Sequence, residues 1–359
     1  MAQSVDLLKT LTNADAVSGY EREVTNIFRD QLTGIGELKQ DKMGGISCTV
    51  PGRSADPRVL IDSHVDEVGF MVQRVTSSGF VKFINLGGWW THTLLAQKVR
   101  ILSKINQQKV IGIIGSTPPH LLGDSAKNKV LDINDLYIDV GAENQRQAEE
   151  EYGIRPGCPV VPATSFQSLK NPKLYAAKAL DNRIAVALVI ETLKELAKSS
   201  NHPNTIIGVG SVQEEVGVRG AITMTEMIQP DVAIVLEAPP ADDLPGFEQD
   251  ASQGRLGGGC QIRLFDPTHI ANPILADLVI EIAAQNAIPH QIAVRNSGGT
   301  NAAAIHKSRY GIPTIVLGIP TRYIHSHISI MNIDDYNSTK ALLLLLLQRL
   351  STDVVGKLV

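Results

Sequence analysis

The chain has 359 residues, of which 43% are hydrophobic and 19% charged, and its formal net charge is −4. That length suits one large domain carrying an insert, or two domains, around a sizeable core. The interspersed charge excludes a basic footprint for nucleic acid, and the longest aliphatic run, the leucines at 342–347, is far short of the ~20 residues of a membrane span.

The first ten residues lack the basic start and long apolar stretch of a signal peptide. Cys48, Cys158 and Cys260 are scattered, with no paired spacing for zinc or redox chemistry. Free thiols in a reducing, cytoplasmic compartment are expected. Residues 3–33 read as an amphipathic helix, a break at Ser18-Gly19 and a second helix from Glu21, with Ser18 and Glu21 at capping-box spacing. A short strand is expected near 46–50, and a buried one at 59–62 runs into Ser63-His64-Val65-Asp66-Glu67.

From Gly69 to Ser165 the texture changes. Short alternating runs at 69–75, 80–84, 98–105, 109–114 and 136–140 are separated by Gly, Ser, Pro and Asn, as in a small β barrel or sandwich. From 174 onward helices at 184–196, 221–228, 272–286, 301–306 and 337–350 alternate with strands at 205–212, 232–236, 261–264 and 313–317. The last helix has a candidate cap at Asn337-Ser338. The pattern predicts an α/β fold with a mostly parallel sheet sandwiched by helices, built from 1–68 and 166–359, and an inserted all-β unit at 69–165.

Metal-competent side chains stand just past the predicted strands: His64 after 59–62, Glu214 and Glu215 after 205–212, Glu237 after 232–236, and His325 after 313–317. Open α/β sheets bind ligands outside the carboxyl ends of their strands, so these residues converge on one edge. Asp181 joins them from the loop before a helix. Neighbouring side chains in a regular strand point to opposite faces. Gly217 and Gly220, however, end the strand and let Glu214 and Glu215 share a site. Two carboxylates held together repel unless a cation sits between them or one keeps its proton.

The inventory balances for two divalent ions about 3.5–4 Å apart. A bridging Asp181, with His64 and Glu237 on one ion and Glu215 and His325 on the other, leaves each open to water, the mark of a catalytic site. Glu214 is left over as a general base. Asp66 is placed to accept the second imidazole N–H of His64. Mixed imidazole and carboxylate ligation suits zinc, cobalt or manganese.

The chain resembles the tetrahedral and glutamyl aminopeptidases, dinuclear metallopeptidases of zinc-exopeptidase-like fold. The likeness runs through Ser18-Gly19-Tyr20-Glu21, Asp62-Ser63-His64-Val65-Asp66-Glu67-Val68-Gly69, Leu180-Asp181-Asn182-Arg183, Gln213-Glu214-Glu215-Val216-Gly217, Gly298-Gly299-Thr300 and Arg322-Tyr323-Ile324-His325-Ser326. It implies that His64, Asp181, Glu215, Glu237 and His325 ligate metal, that Glu214 is the base and that Asp66 orients His64. It also implies that the insert is a dimerisation domain of hollow twelve-subunit assemblies. Glu237 stands where the family usually has Asp, and Asn301 where it has Asp after Gly-Thr. Arg255, Gly299, Thr300, Asn301 and Arg322 are candidate substrate contacts.

The expected activity is release of N-terminal residues from unblocked short peptides, through a metal-bridging hydroxide with Glu214 as base. The nearest rival on the same site is a deacylase of N-acyl amino acids or peptides. A glycoside hydrolase using Glu214 and a second carboxylate leaves His64 and His325 without a role. A non-catalytic shell protein leaves the whole set unexplained. Trp89-Trp90-Thr91-His92 reads as a core or interface anchor, and His306 and His327 as histidines that either touch substrate or lie behind the site.

Overall fold

A computed structural model describes residues 2–105, 107–121, 129–248 and 251–358. The ranges expected for the two units also take in residues 1, 106, 122–128, 249–250 and 359, which lie outside the described ones. Helices α1 (Ala2–Asn13) and α2 (Arg22–Leu32) precede strands β1 (Glu37–Gln40), β2 (Ile46–Val50) and β3 (Arg58–His64). Next come β4 (Gly69–Val75), β5 (Val81–Leu86), β6 (Lys98–Leu102), β7 (Lys109–Gly115), β8 (Tyr137–Asp139) and β9 (Pro159–Pro162). These six close into a barrel in the order β4-β5-β8-β7-β6-β9.

The chain then returns through β10 (Gln167–Ser168), β11 (Leu174–Ala177), α3 (Leu180–Ala197), β12 (Thr205–Ser211), α4 (Arg219–Ile228) and β13 (Val232–Glu237). It continues as β14 (Cys260–Asp266), β15 (His269–Ile270), α5 (Pro273–Gln285), β16 (His290–Val294), α6 (Ala302–Ile305), β17 (Thr314–Gly318), β18 (Thr321–Arg322) and β19 (Ser329–Asn332). Helices α7 (Ile333–Arg349) and α8 (Thr352–Val355) close the chain.

The main sheet runs β1-β2-β12-β3-β13-β17-β14-β15, with β16 on β14. Its centre, β12-β3-β13-β17, is parallel, but β2 and β14 join it antiparallel. The sheet is therefore mixed, not mostly parallel. Strand direction follows the route of each connection, such as the β1-β2 hairpin, and leaves no mark on the local apolar pattern. A second sheet, β10-β11-β19-β18, is built from strands too short to show a period.

Helix α3 is buried on nearly every face and lies across the sheet. A Cβ on Gly208 of β12 would come within 2.6 Å of Leu193 and Val189, so glycine there lets the helix approach the strand. The barrel has its own core, with Phe70 stacked on Trp89 at 4.7 Å. Trp89 is thus an anchor inside this unit, whereas Trp90 is exposed.

Two expected caps are replaced. Ser18 does not cap α2. Its hydroxyl donates to Asp66 at 2.6 Å, while Glu21 accepts the Gly19 N–H at 2.6 Å. Helix α7 is capped by Asn332, which accepts the Asp334 N–H, rather than near Asn337-Ser338.

Buried cations fix the segment after β3. Arg183 donates to the carbonyls of Val65, Leu11 and Ala16 and to the Glu67 carboxylate. Lys178, fully buried, donates to both oxygens of Glu67 at 2.6 and 2.7 Å and to the Ala14 carbonyl at 2.8 Å. These bonds lock residues 65–67, directly beyond His64, against the N-terminal segment.

Candidate metal centre

The register of the parallel strands decides which residues meet. His64 ends β3 opposite Ser211, the last residue of β12, while Glu237 ends β13 opposite Gly318, the last residue of β17. The carboxyl ends of four adjoining strands therefore lie on one edge. Beyond Ser211 the chain leaves the sheet. Gln213 takes a left-handed φ of 55°, and the N–H groups of Gly217 and Val218 both return to the Glu214 carbonyl at 2.9 Å. Released from strand geometry, Glu214 and Glu215 both approach His64.

Asp181 stands at the mouth of α3 with non-helical backbone, so regular helix begins after Asn182. Its two oxygens face different histidines: Oδ1 lies 3.2 Å from His64 Nε2 and Oδ2 3.5 Å from His325 Nε2. Glu237 Oε1 is 3.6 Å from His64 Nε2, and Glu215 Oε2 is 3.4 Å from His325 Nε2. The longer arm of Glu237 thus reaches the cluster.

Ligand atoms of His64, Asp181 and Glu237 lie within 4.8 Å of one another, as do those of Asp181, Glu215 and His325. His64, Glu214 and Glu215 form a third such group.

The outer contacts are specific. His64 Nδ1 lies 3.1 Å from the main-chain oxygen of Asp66, and the Asp66 carboxylate is a longer contact at 3.4 Å. That carboxylate instead accepts the N–H groups of Glu214 and Glu215 at 3.0 and 3.1 Å and the Ser18 hydroxyl. Glu21, a residue that reads as a cap in the sequence, accepts the Gln213 N–H at 3.2 Å and so steadies the same loop. His325 has a left-handed φ of 55° and its Nδ1 lies 3.0 Å from the Gly88 carbonyl in the β5–β6 loop of the barrel. Such backbone is retained where the surroundings over-determine it, as at functional sites.

The electrostatics ask for positive charge. Burial pushes Glu214 well above the usual carboxylate range; His64 pulls it back, and Glu237 and Glu215 add repulsion. Burial likewise raises Glu215 to about 8, with Asp181 adding to the rise. Burial disfavours a charged His325, yet Asp181 and Glu215 outweigh it and raise its pKa to about 9. Glu215 Oε1 is buried without a hydrogen-bond partner. Crowded carboxylates, imidazole nitrogens and an orphaned oxygen fit a divalent cation, which would relieve each of them at once.

Most of the expected substrate contacts have partners within the chain. Asn301, almost fully buried, donates to Asp62 at 2.7 Å and to Ser211 at 2.8 Å, so it lies within the fold. Burial raises Asp62 to about 6 against the pull of that amide. Thr300 is buried and accepts the Ala302 N–H, and Gly299 packs on Thr268. Arg322 makes a two-pronged pair with Asp243 at 2.7 and 2.6 Å. Arg255 is exposed beside the 242–247 loop. His306 packs edge-on against His269, and His327 is buried against Trp89.

Residues 44–342 match the family described as M42 glutamyl aminopeptidase. The chain belongs to that family. It is 33% identical over 356 residues to the glutamyl aminopeptidase of Lactococcus lactis subsp. cremoris (strain MG1363), covering 98% of each chain. Its fold matches the TET aminopeptidase of the marine sediment archaeon Thaumarchaeota archaeon SCGC AB-539-E09 with a TM-score of 0.96. Identity there is 37%, covering 100% of this chain and 99% of the other. It also matches the TET1 peptidase of Pyrococcus horikoshii, which can assemble into a tetrahedron or a large octahedral shell. That TM-score is 0.85 at 28% identity, covering 97% of this chain and 100% of the other. Among the described residues no helix is long and apolar enough to cross a membrane.

Proposed function

We propose that this M42 protein is a dinuclear metal-dependent aminopeptidase that removes N-terminal residues from short unblocked peptides. The observation that carries the reading is Asp181, whose two oxygens face the imidazoles of two separate three-residue groups. His64, Asp181 and Glu237 would hold one divalent ion, and Asp181, Glu215 and His325 the other. Bound there, zinc, cobalt or manganese supplies Lewis acidity toward a water and toward the scissile carbonyl.

Glu214 takes the proton from the attacking water and passes it to the leaving amine, work suited to a buried carboxylate whose pKa burial has already raised. Asp66 fixes the pair Glu214-Glu215 by its grip on their N–H groups, and its main-chain oxygen holds the His64 tautomer. The test is turnover of an unblocked peptide and its N-acetylated twin by metal-depleted enzyme, before and after adding zinc, cobalt or manganese. Metal-restored, stepwise shortening of the free peptide alone supports the reading. Release of acetate assigns deacylation to the same site.

The assembly of the Pyrococcus horikoshii relative supports a homo-oligomer, a dodecamer by family likeness, with 69–165 as the inserted contact unit. Ile84, Ile111 and Ile113 on the barrel strands are exposed apolar residues suited to such a contact. A monomeric mass by light scattering would refute it.

A further inference from the structure

We infer that the cleft beside His325 receives the side chain of the substrate's first residue and selects large uncharged, above all aromatic, side chains. The inference rests on the aminopeptidase reading and names the substrate class of that site. The cleft measures about 760 Å³ and is shared between the barrel loop after Gly88 and the segment 323–328. Trp89, Trp90, Tyr323, Ile324 and Ile328 supply its apolar surface, and Thr93 and Gln97 are uncharged. Among the described residues no Asp, Glu, Lys or Arg lines it.

Position follows from the same loop that orients the ligand. The Gly88 carbonyl lies 3.0 Å from His325 Nδ1, and the two tryptophans follow directly in sequence, so the wall of the cleft is tied to the metal cluster. Trp89 is rigid: it stacks on Phe70, its Nε1–H donates to the Gly69 carbonyl at 3.1 Å, and its ring lies 5.1 Å from that of His327. Trp90 is 65% exposed and Tyr323 49%, two large rings at the rim with apolar surface left uncovered. An aromatic side chain of the substrate covers that surface and gains ring contacts. An ammonium entering the cleft loses hydration and meets no carboxylate there, and a carboxylate meets no Lys or Arg, only the imidazoles of His325 and His327.

The test is kcat/KM across X-Ala-Ala peptides with X as Trp, Phe, Leu, Ala, Glu or Lys, alongside Ala-X-Ala peptides of the same set. Phe and Trp at the first position should exceed Glu and Lys by about tenfold or more, the range a pocket contact provides. Trp90→Ala should lower the Phe-to-Ala ratio about tenfold. Gln97→Arg should raise Glu relative to Phe, and this second variant keeps the proposal testable if Trp90→Ala does not fold. A flat profile at the first position, a preference for Glu or Lys there, or selectivity confined to the second position overturns the cleft assignment alone. Absence of turnover for every peptide in the set overturns the assignment together with the aminopeptidase reading.

Discussion

The carboxylate of Asp66 accepts the backbone N–H of Glu214 at 3.0 Å across 148 residues of chain. The same carboxylate holds Glu215 N–H and the Ser18 hydroxyl, so it faces donors only. Asp66→Asn replaces one acceptor by an N–H₂ group that would point at a donor. Activity should fall about 10–100-fold, as when a partner behind a metal ligand is removed. Steady-state kinetics with elemental analysis of metal content checks this, and unchanged kcat/KM would refute the role.

Glu214→Gln preserves shape and removes the proton carrier. The expected outcome is a loss in kcat of about 10²–10⁴-fold with bound metal retained. Asp181→Asn should instead weaken binding of both proposed ions, since the His64-Asp181-Glu237 and Asp181-Glu215-His325 groups share that carboxylate. Equilibrium dialysis against zinc, cobalt or manganese separates the two variants.

Burial alone does not stabilise Lys178; its pairing with Glu67 does. Burial and the neighbouring Arg183 depress the Lys178 pKa, while Glu67 and Asp15 hold its charge. Lys178→Met leaves Glu67 buried with Arg183 as its remaining cation among these bonds. Breaking such a pair costs about 3–5 kcal/mol, measurable by denaturant unfolding.

Glu21 gives the fold a pH slope. Burial raises its folded pKa to about 7 from an ordinary 4.5. The folded state therefore binds the proton more tightly than the unfolded chain. Its stabilising contribution is complete below pH 4.5 and is lost as pH rises through 7, a change of about 3 kcal/mol. Glu21→Gln keeps an acceptor for the Gly19 and Gln213 N–H groups without the charge. Thermal melts should show the variant gaining on the native protein between pH 5 and 8; parallel curves would refute the assignment.

The strand-end residues were legible because buried strands have continuous apolar runs and because ligands gather at carboxyl edges. The 59–62 run, for example, falls within β3, which ends at His64. Strand direction was not legible, since β14 has the composition of its neighbours and yet runs opposite to β17. Ser18 illustrates a different limit. Its capping-box spacing is a local pattern, and a carboxylate 48 residues away claims the hydroxyl instead. Asn301 and Arg322 look like substrate contacts from motif position, but Asp62 and Asp243, distant in sequence, engage them. Tertiary partners of this kind leave no trace in spacing.

The bond between the Gly88 carbonyl and His325 Nδ1 crosses from the barrel to the sheet. The two halves of the metal cluster are therefore unequal in what they sense. His64 and Glu237 are carried by adjoining strands of one sheet, whereas His325 is aimed by a loop of the neighbouring unit. On the proposed two-ion reading, a contact that tilts the barrel would act first on the group that contains His325, and on the other through the shared Asp181. The seating of the barrel would then be read out at the sheet edge through one carbonyl–imidazole contact.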